Sequence, residues 1–185
     1  MLDYKISNIA ATANLLTDID LSYLARNAIN IEYNPDKHNT AVLRIRKPKA
    51  TCVMFESGRF NILGTQTLED ARKAALRFAR IVQKNFKYKY IRCLFFRLTN
   101  IVIASYFHFR IHLENLYNCE KWKYKMDYDP MKFPAIKLYF NPYSSSVVGL
   151  IFRTGKIVIT GASSLPDLEN FGKEIFKITA NYKLV

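Results

Sequence analysis

The chain has 185 residues, half of them hydrophobic, with only six Gly and six Pro. That composition excludes a disordered or fibrous chain and suits one domain or two small fused units. Lys and Arg number 28 against 15 Asp and Glu, for a net charge of +13. Residues 1–93 hold 16 basic and 8 acidic residues and the remainder 12 and 7, so the excess is not a detachable tail. A basic surface spread over a folded domain points to a polyanionic partner, nucleic acid foremost; an anionic membrane, an acidic protein or no such partner are the other readings. Twelve Tyr and thirteen Phe fit stacking on bases, although a hydrophobic core alone also uses aromatics. Three scattered cysteines, Cys52, Cys93 and Cys119, have neither disulfide-framework nor zinc-site spacing. No signal peptide and no membrane-length apolar run is expected.

A strand over Lys5–Ala13 is predicted first, then a helix over Asp20–Ala28. Strands follow at Ala41–Arg46, Thr51–Phe55 and Phe60–Leu63. Pro48 falls in one turn, and Ser57-Gly58 reads as a two-residue hairpin turn. Thr67 and Asp70 form a capping pair ahead of a helix over Ala71–Asn85. Its expected apolar face is Leu76, Ala79 and Val82 or Gln83, with Arg72, Lys73, Arg77, Arg80 and Lys84 covering the rest. The same series then restarts: strand Phe96–Ser105, helix Leu113–Cys119, strands Ala135–Phe140, Val147–Phe152 and Lys156–Thr160. Pro142 and Thr154-Gly155 mark turns, and Ser164 caps a helix with Pro166 in its first turn, running to about Ala180.

The restart is a duplication. Ile6-Ser7-Asn8-Ile9 matches Leu98-Thr99-Asn100-Ile101, 92 residues later. Met54-Phe55-Glu56-Ser57-Gly58-Arg59 matches Ile151-Phe152-Arg153-Thr154-Gly155-Lys156, and Gly64 matches Gly161, both 97 residues later. Ordered matches of this kind define repeats at 1–93 and 94–185 of one continuous domain. Cys52-Val53-Met54-Phe55 and Val147–Phe152 do not alternate apolar with polar, as a half-solvated strand should. Either one apolar face is a binding surface, or both are buried within the monomer.

Several runs together resemble the TATA-box-binding protein family over nearly the whole chain. They are Ile6–Ile9, Ala25–Ala28 with Glu32–Pro35, Arg44–Lys49, Phe55–Gly58, Ala79–Lys84, Asn100–Val102, Phe133-Pro134 and Phe152–Ala162. The resemblance implies an α+β saddle: two pseudo-symmetric repeats in a curved ten-stranded antiparallel sheet, with four helices on its convex face. It implies binding in the minor groove of A·T-rich promoter DNA, bending by Phe wedges, and recruitment of transcription machinery. Asn8 and Asn100 match the central asparagines that donate to A·T edges, and Thr160 a flanking hydroxyl. Val53, Val102, Val148, Leu150 and Val158 match apolar base contacts. Phe133, beside Pro134, and Phe152 match one wedge pair; Phe55 matches half of the other. Arg44, Arg46, Arg59 and Lys156 match phosphate contacts.

The first repeat departs from the family pattern. His38-Asn39 stand in place of a Phe and a small residue, and Ala10, Asn61 and Leu63 in place of two valines and a threonine. Partner surfaces are implied too. The loop Tyr128–Lys132 resembles the stirrup for a factor IIB-like protein, keeping Asp129, with Met131 and Lys132 replacing an acid and a leucine. The basic face of Arg72, Arg77, Arg80 and Lys84 resembles a surface used by regulators; a solvated charged face is the other reading. A factor IIA-like protein is implied as a further partner. The resemblance implies a monomer on DNA, RNA polymerase machinery as partner, no membrane, no cofactor, and a nuclear protein (or one of a cytoplasmic viral factory). A second function reading is an assembly platform acting through protein partners, with altered or lost sequence-specific DNA binding. An enzyme is not expected: His38, His108 and His112 lack HExxH or triad context, and there is no Gly-rich phosphate loop or metal cluster.

Overall fold

The structure, a computed structural model, describes residues 3–86, 91–123, 125–139 and 147–184. In chain order the elements are β1 (Tyr4–Asn14), α1 (Leu21–Asn27), β2 (Ile31–Glu32), β3 (Thr40–Arg46), β4 (Lys49–Phe55), β5 (Arg59–Thr65) and α2 (Leu68–Phe86). The series repeats as β6 (Leu94–Tyr106), β7 (Arg110–Ile111), α3 (Leu113–Tyr117), α4 (Glu120–Lys123), β8 (Met126–Asp127), β9 (Ala135–Tyr139), β10 (Val148–Phe152), β11 (Lys156–Ala162) and α5 (Leu165–Thr179). A 3₁₀ turn (Ala180–Tyr182) and β12 (Lys183–Leu184) close the chain's described part. Ten strands form one sheet in the order β2-β3-β4-β5-β1-β6-β11-β10-β9-β8, while β12 pairs with β7. Among the described residues the α-helices number five rather than the expected four, because the single turn α4 follows α3. Phe140 and Pro142, placed in a strand and a turn by sequence, lie outside the described residues.

Two compact units result, and neither is contiguous with a sequence repeat. One spans Asn8–Thr99; the other joins the described residues up to Ser7 to those from Asn100 onward. The boundary at 93/94 is expected from paired sequence motifs, whereas the boundary of the units follows the packing of the backbone. In the second unit, Ser7 Oγ donates to the Val102 carbonyl (3.2 Å), Ser105 Oγ to the Asp3 carbonyl (2.6 Å) and the Tyr4 hydroxyl to Glu169 (2.5 Å). The bond to Glu169 and burial both raise the Tyr4 pKa. In the first unit, Phe96 and Leu98 pack on the core, with the Arg72 guanidinium 5.8 Å from the Phe96 ring centre.

Each unit buries one face of its strands under a long helix. In the first, α2 packs on β4 and β5. Ala74, Ala75, Phe78, Ala79 and Val82 meet Ala11, Ala13, Cys52, Met54, Phe60 and Ile62 in one core. Burial also pushes the Cys52 thiol pKa well up. The face expected from Leu76 is corrected: Leu76 is 53% exposed, and the buried stripe runs through Ala71, Ala74, Ala75, Phe78, Ala79 and Val82. Small residues let the helix sit close to the sheet, so the stripe is built from alanines rather than large aliphatics. The Asp70 N–H donates to Thr67 Oγ1 (3.0 Å), the expected cap. Ser164 takes the N-cap position of α5 with Pro166 in the first turn, but its side chain makes no capping hydrogen bond.

The hairpin turns are also corrected. The registers Met54↔Phe60 and Ile151↔Ile157 leave three-residue loops, Glu56-Ser57-Gly58 and Arg153-Thr154-Gly155. Each glycine N–H donates back to the preceding phenylalanine carbonyl (3.0 Å), a turn that ends in a left-handed residue. Gly58 and Gly155 have φ of 74° and 85°. A Cβ on Gly155 would stand 2.3 Å from the Phe109 carbonyl oxygen. Gly155→Ala is therefore expected to cost more than the ~1–2 kcal/mol of a left-handed non-glycine residue, read as a lower urea midpoint. An unchanged midpoint would contradict this account of the turn.

Candidate nucleic-acid interface

The strands alternate buried and half-buried residues despite their uniformly apolar sequence. In β10, Gly149 and Ile151 are buried while Val148, Leu150 and Phe152 are half-buried. In β4, Ala50, Cys52 and Met54 are buried while Thr51, Val53 and Phe55 are half-buried. One of the two sequence readings thus falls away: both faces are not buried, and each unit keeps an apolar face opposite its long helix.

The sequence-predicted base contacts share those faces. In the first unit Asn8, Ala10, Val53, Phe55 and Asn61 are half-buried and Leu63 is exposed. In the second unit Asn100, Val102, Val148, Leu150, Phe152, Lys156, Val158 and Thr160 are half-buried. Cross-strand registers order them: Val148↔Thr160 and Leu150↔Val158 in one unit, Val53↔Asn61 and Thr51↔Leu63 in the other. Val42, Thr12 and Lys137 join the same faces and were missed by sequence reading. Their signal was parity, since they pair directly with Val53, Asn61 and Leu150.

Both central asparagines are held in one orientation. The Gly64 N–H donates to Asn8 Oδ1 at 2.8 Å, and the Gly161 N–H to Asn100 Oδ1 at 2.8 Å. Irregular register of β1 with β5, and of β6 with β11, brings those glycines there. A backbone N–H can only donate, so each amide must turn its oxygen to the glycine and present its NH2 group as donor. In the second unit Thr160 Oγ1 sits within hydrogen-bond reach of both ends of the Asn100 amide, accepting from Nδ2 (3.0 Å) or donating to Oδ1 (3.3 Å). In the first unit Leu63 replaces that hydroxyl and supplies no such partner.

The two loops ahead of β3 and β9 fold alike. Asn34 accepts from Asp36 N–H at its side chain (3.1 Å) and from His38 N–H at its carbonyl (2.9 Å). Asp129 does the same for Met131 (3.1 Å) and Phe133 (2.9 Å). His38 therefore occupies the place of Phe133, and Asn39 that of Pro134. Phe133 and Phe152 pair edge to face with ring centres 6.1 Å apart. Lys137 Nζ lies 5.8 Å from the Phe133 ring centre and Lys156 Nζ 5.9 Å from that of Phe152. Arg59 stands likewise 5.9 Å from the Phe55 ring centre. A cation thus stands beside each of these three rings.

Other predicted residues are engaged within the chain. Arg44 pairs with Glu32 at 2.6 Å, and Lys132 with Asp129 at 3.1 Å. Both pairs are solvent-exposed and so worth little, which leaves their cations easy to recruit. Arg46 is exposed on the same strand as Arg44. Met131 is 93% exposed at the tip of its loop. On α2, Arg72 covers Phe96, and Arg77 donates to the Lys47 carbonyl. Arg77, Arg80 and Lys84 line a groove of about 660 Å³ against Pro48 and Leu76.

A duplicated α+β sheet with rings, short apolar groups and fixed amide donors on its uncovered face is a binding module. Comparison with known proteins names the module. The family described as transcription factor TFIID, or TATA-binding protein, matches residues 3–85 and 95–182. The TATA-box-binding protein of Tetrahymena thermophila is 36% identical over 180 residues, covering 97% of this chain and 70% of the relative. The mouse TATA box-binding protein-like 2 is 34% identical over 182 residues, covering 98% of this chain but only 50% of the relative's length. The Methanococcus jannaschii TBP structure superposes with a TM-score of 0.79 at 26% identity, over 97% of this chain and 99% of that one. The chain belongs to the TATA-binding protein family. It is a transcription initiation factor of that family, which is not a family of enzymes.

Proposed function

We propose that the protein binds A·T-rich promoter DNA from the minor groove, kinks it with Phe133 and Phe152, and so marks the site for transcription machinery. The observation that carries this reading is the pair of amides, Asn8 and Asn100, whose oxygens are occupied by glycine N–H groups. A·T pairs present only acceptors in the minor groove, so a fixed donor matches them. The apolar residues around the amides leave the guanine amino group without a partner. Arg46, Arg59 and Lys156, with Arg44 once it leaves Glu32, meet phosphates; they supply affinity and no sequence information. On this reading His38 is a weaker wedge than Phe133, because an imidazole is more polar than a phenyl ring.

The protein acts as a monomer on DNA and in the nucleus. The loop Tyr128–Lys132 and the basic face of α2 receive factor IIB-like and IIA-like partners, the former with altered complementarity at Met131 and Lys132. The platform reading without DNA recognition is not favoured, since both asparagines keep their fixed donors. Fluorescence titration of an A·T-rich duplex tests the proposal. Affinity is expected to fall steeply with salt, and Arg59→Ala or Lys156→Ala to reduce the log–log slope by about 0.9 each. Absence of binding at low salt would sink it.

A further inference from the structure

Asn61 is out of place for the fold. Its β5 position pairs with Val53 on one side and Thr12 on the other, and the neighbouring row continues to Val42. In the second unit Val158 takes this position, between Leu150 and Ala104. Asparagine is disfavoured in strands, and a half-buried amide beside valines adds nothing to the core that a valine would not. The long helix lies on the other face, against Phe60 and Ile62. The side chain thus serves whatever covers this face.

Its chemistry differs from that of Asn8. The Gly64 N–H engages the Asn8 oxygen and fixes which end of that amide is oxygen, leaving its NH2 group as the unengaged donor. Among the described residues none hydrogen-bonds the Asn61 amide, which is left to turn either end toward a ligand. In the minor groove the one group that distinguishes G·C from A·T is the guanine amino donor. A valine over that amino group leaves it buried and unpaired, and this is costly. An amide oxygen in the same place accepts from it.

We propose that Asn61 is a specificity-determining residue that makes the first unit accept and prefer a G·C pair at one position, where the second unit, through Val158, requires A·T. The inference rests on the minor-groove reading above. It predicts an asymmetric target, A·T-restricted in one half and carrying one G·C pair in the other.

Selection from random duplexes locates that position, and guanine is then replaced there by inosine, which lacks only the amino group. For the unmodified protein the replacement is expected to weaken binding about fivefold to tenfold, the worth of one hydrogen bond. For Asn61→Val the same replacement is expected to tighten binding, and the selected site to become A·T in both halves. Binding to wholly A·T sites, with selection unchanged by Asn61→Val, overturns the role of Asn61 and leaves the minor-groove reading intact. Indifference of the unmodified protein to inosine, which needs no variant to fold, overturns it as well. Failure to bind any duplex overturns both.

Discussion

Truncation of Phe152 to alanine is expected to lower affinity for an A·T-rich duplex about tenfold to a hundredfold, the range of one aromatic–base contact. The same change is expected to reduce the bend measured by gel mobility of circularly permuted fragments. The physical basis is the edge-to-face pair with Phe133, at 6.1 Å between ring centres, which offers two rings side by side as one wedge. Unstacking a base step costs a few kcal/mol, and apolar area must replace the lost stacking. Phe55→Ala is expected to cost less, because the place of its partner is held by His38 rather than phenylalanine. His38→Phe should then narrow the difference between the units. Equal losses for Phe55→Ala and Phe152→Ala would show that the first unit wedges as strongly as the second.

The largest expected loss of stability is at Phe60. Its side chain is fully buried and meets Phe78 of α2 edge to face, with ring centres 6.5 Å apart. Phe60→Ala is expected to cost about 3–5 kcal/mol, a large share of the roughly 5–15 kcal/mol that holds a domain folded. The loss should appear as a lower urea midpoint. Ile157 occupies the matching register position in the second unit, and Ile157→Ala removes a smaller side chain for a smaller loss. A loss of under about 1 kcal/mol at Phe60 would mean that α2 collapses onto the gap, against its close alanine packing.

Much of this molecule was legible along the chain. Strand and helix order followed from periodicity, capping residues and turns. The duplication followed from paired motifs, and the departures at His38, Asn61 and Leu63 from the family pattern that the chain resembles. Each of these is a local or internally repeated signal, so residue identity suffices to read it. Tertiary structure decided the rest. The three-residue hairpin loops depend on register across strands, which one strand does not specify. The exposure of Leu76 depends on how close α2 lies to the sheet, and the pairing of Arg44 with Glu32 on a neighbouring edge strand. The fixed orientation of Asn8 and Asn100 needed Gly64 and Gly161 brought back from more than fifty residues away. An asparagine in a sequence is both donor and acceptor. Only the folded backbone, by engaging its oxygen, fixes which end of the amide is held and which is offered as donor.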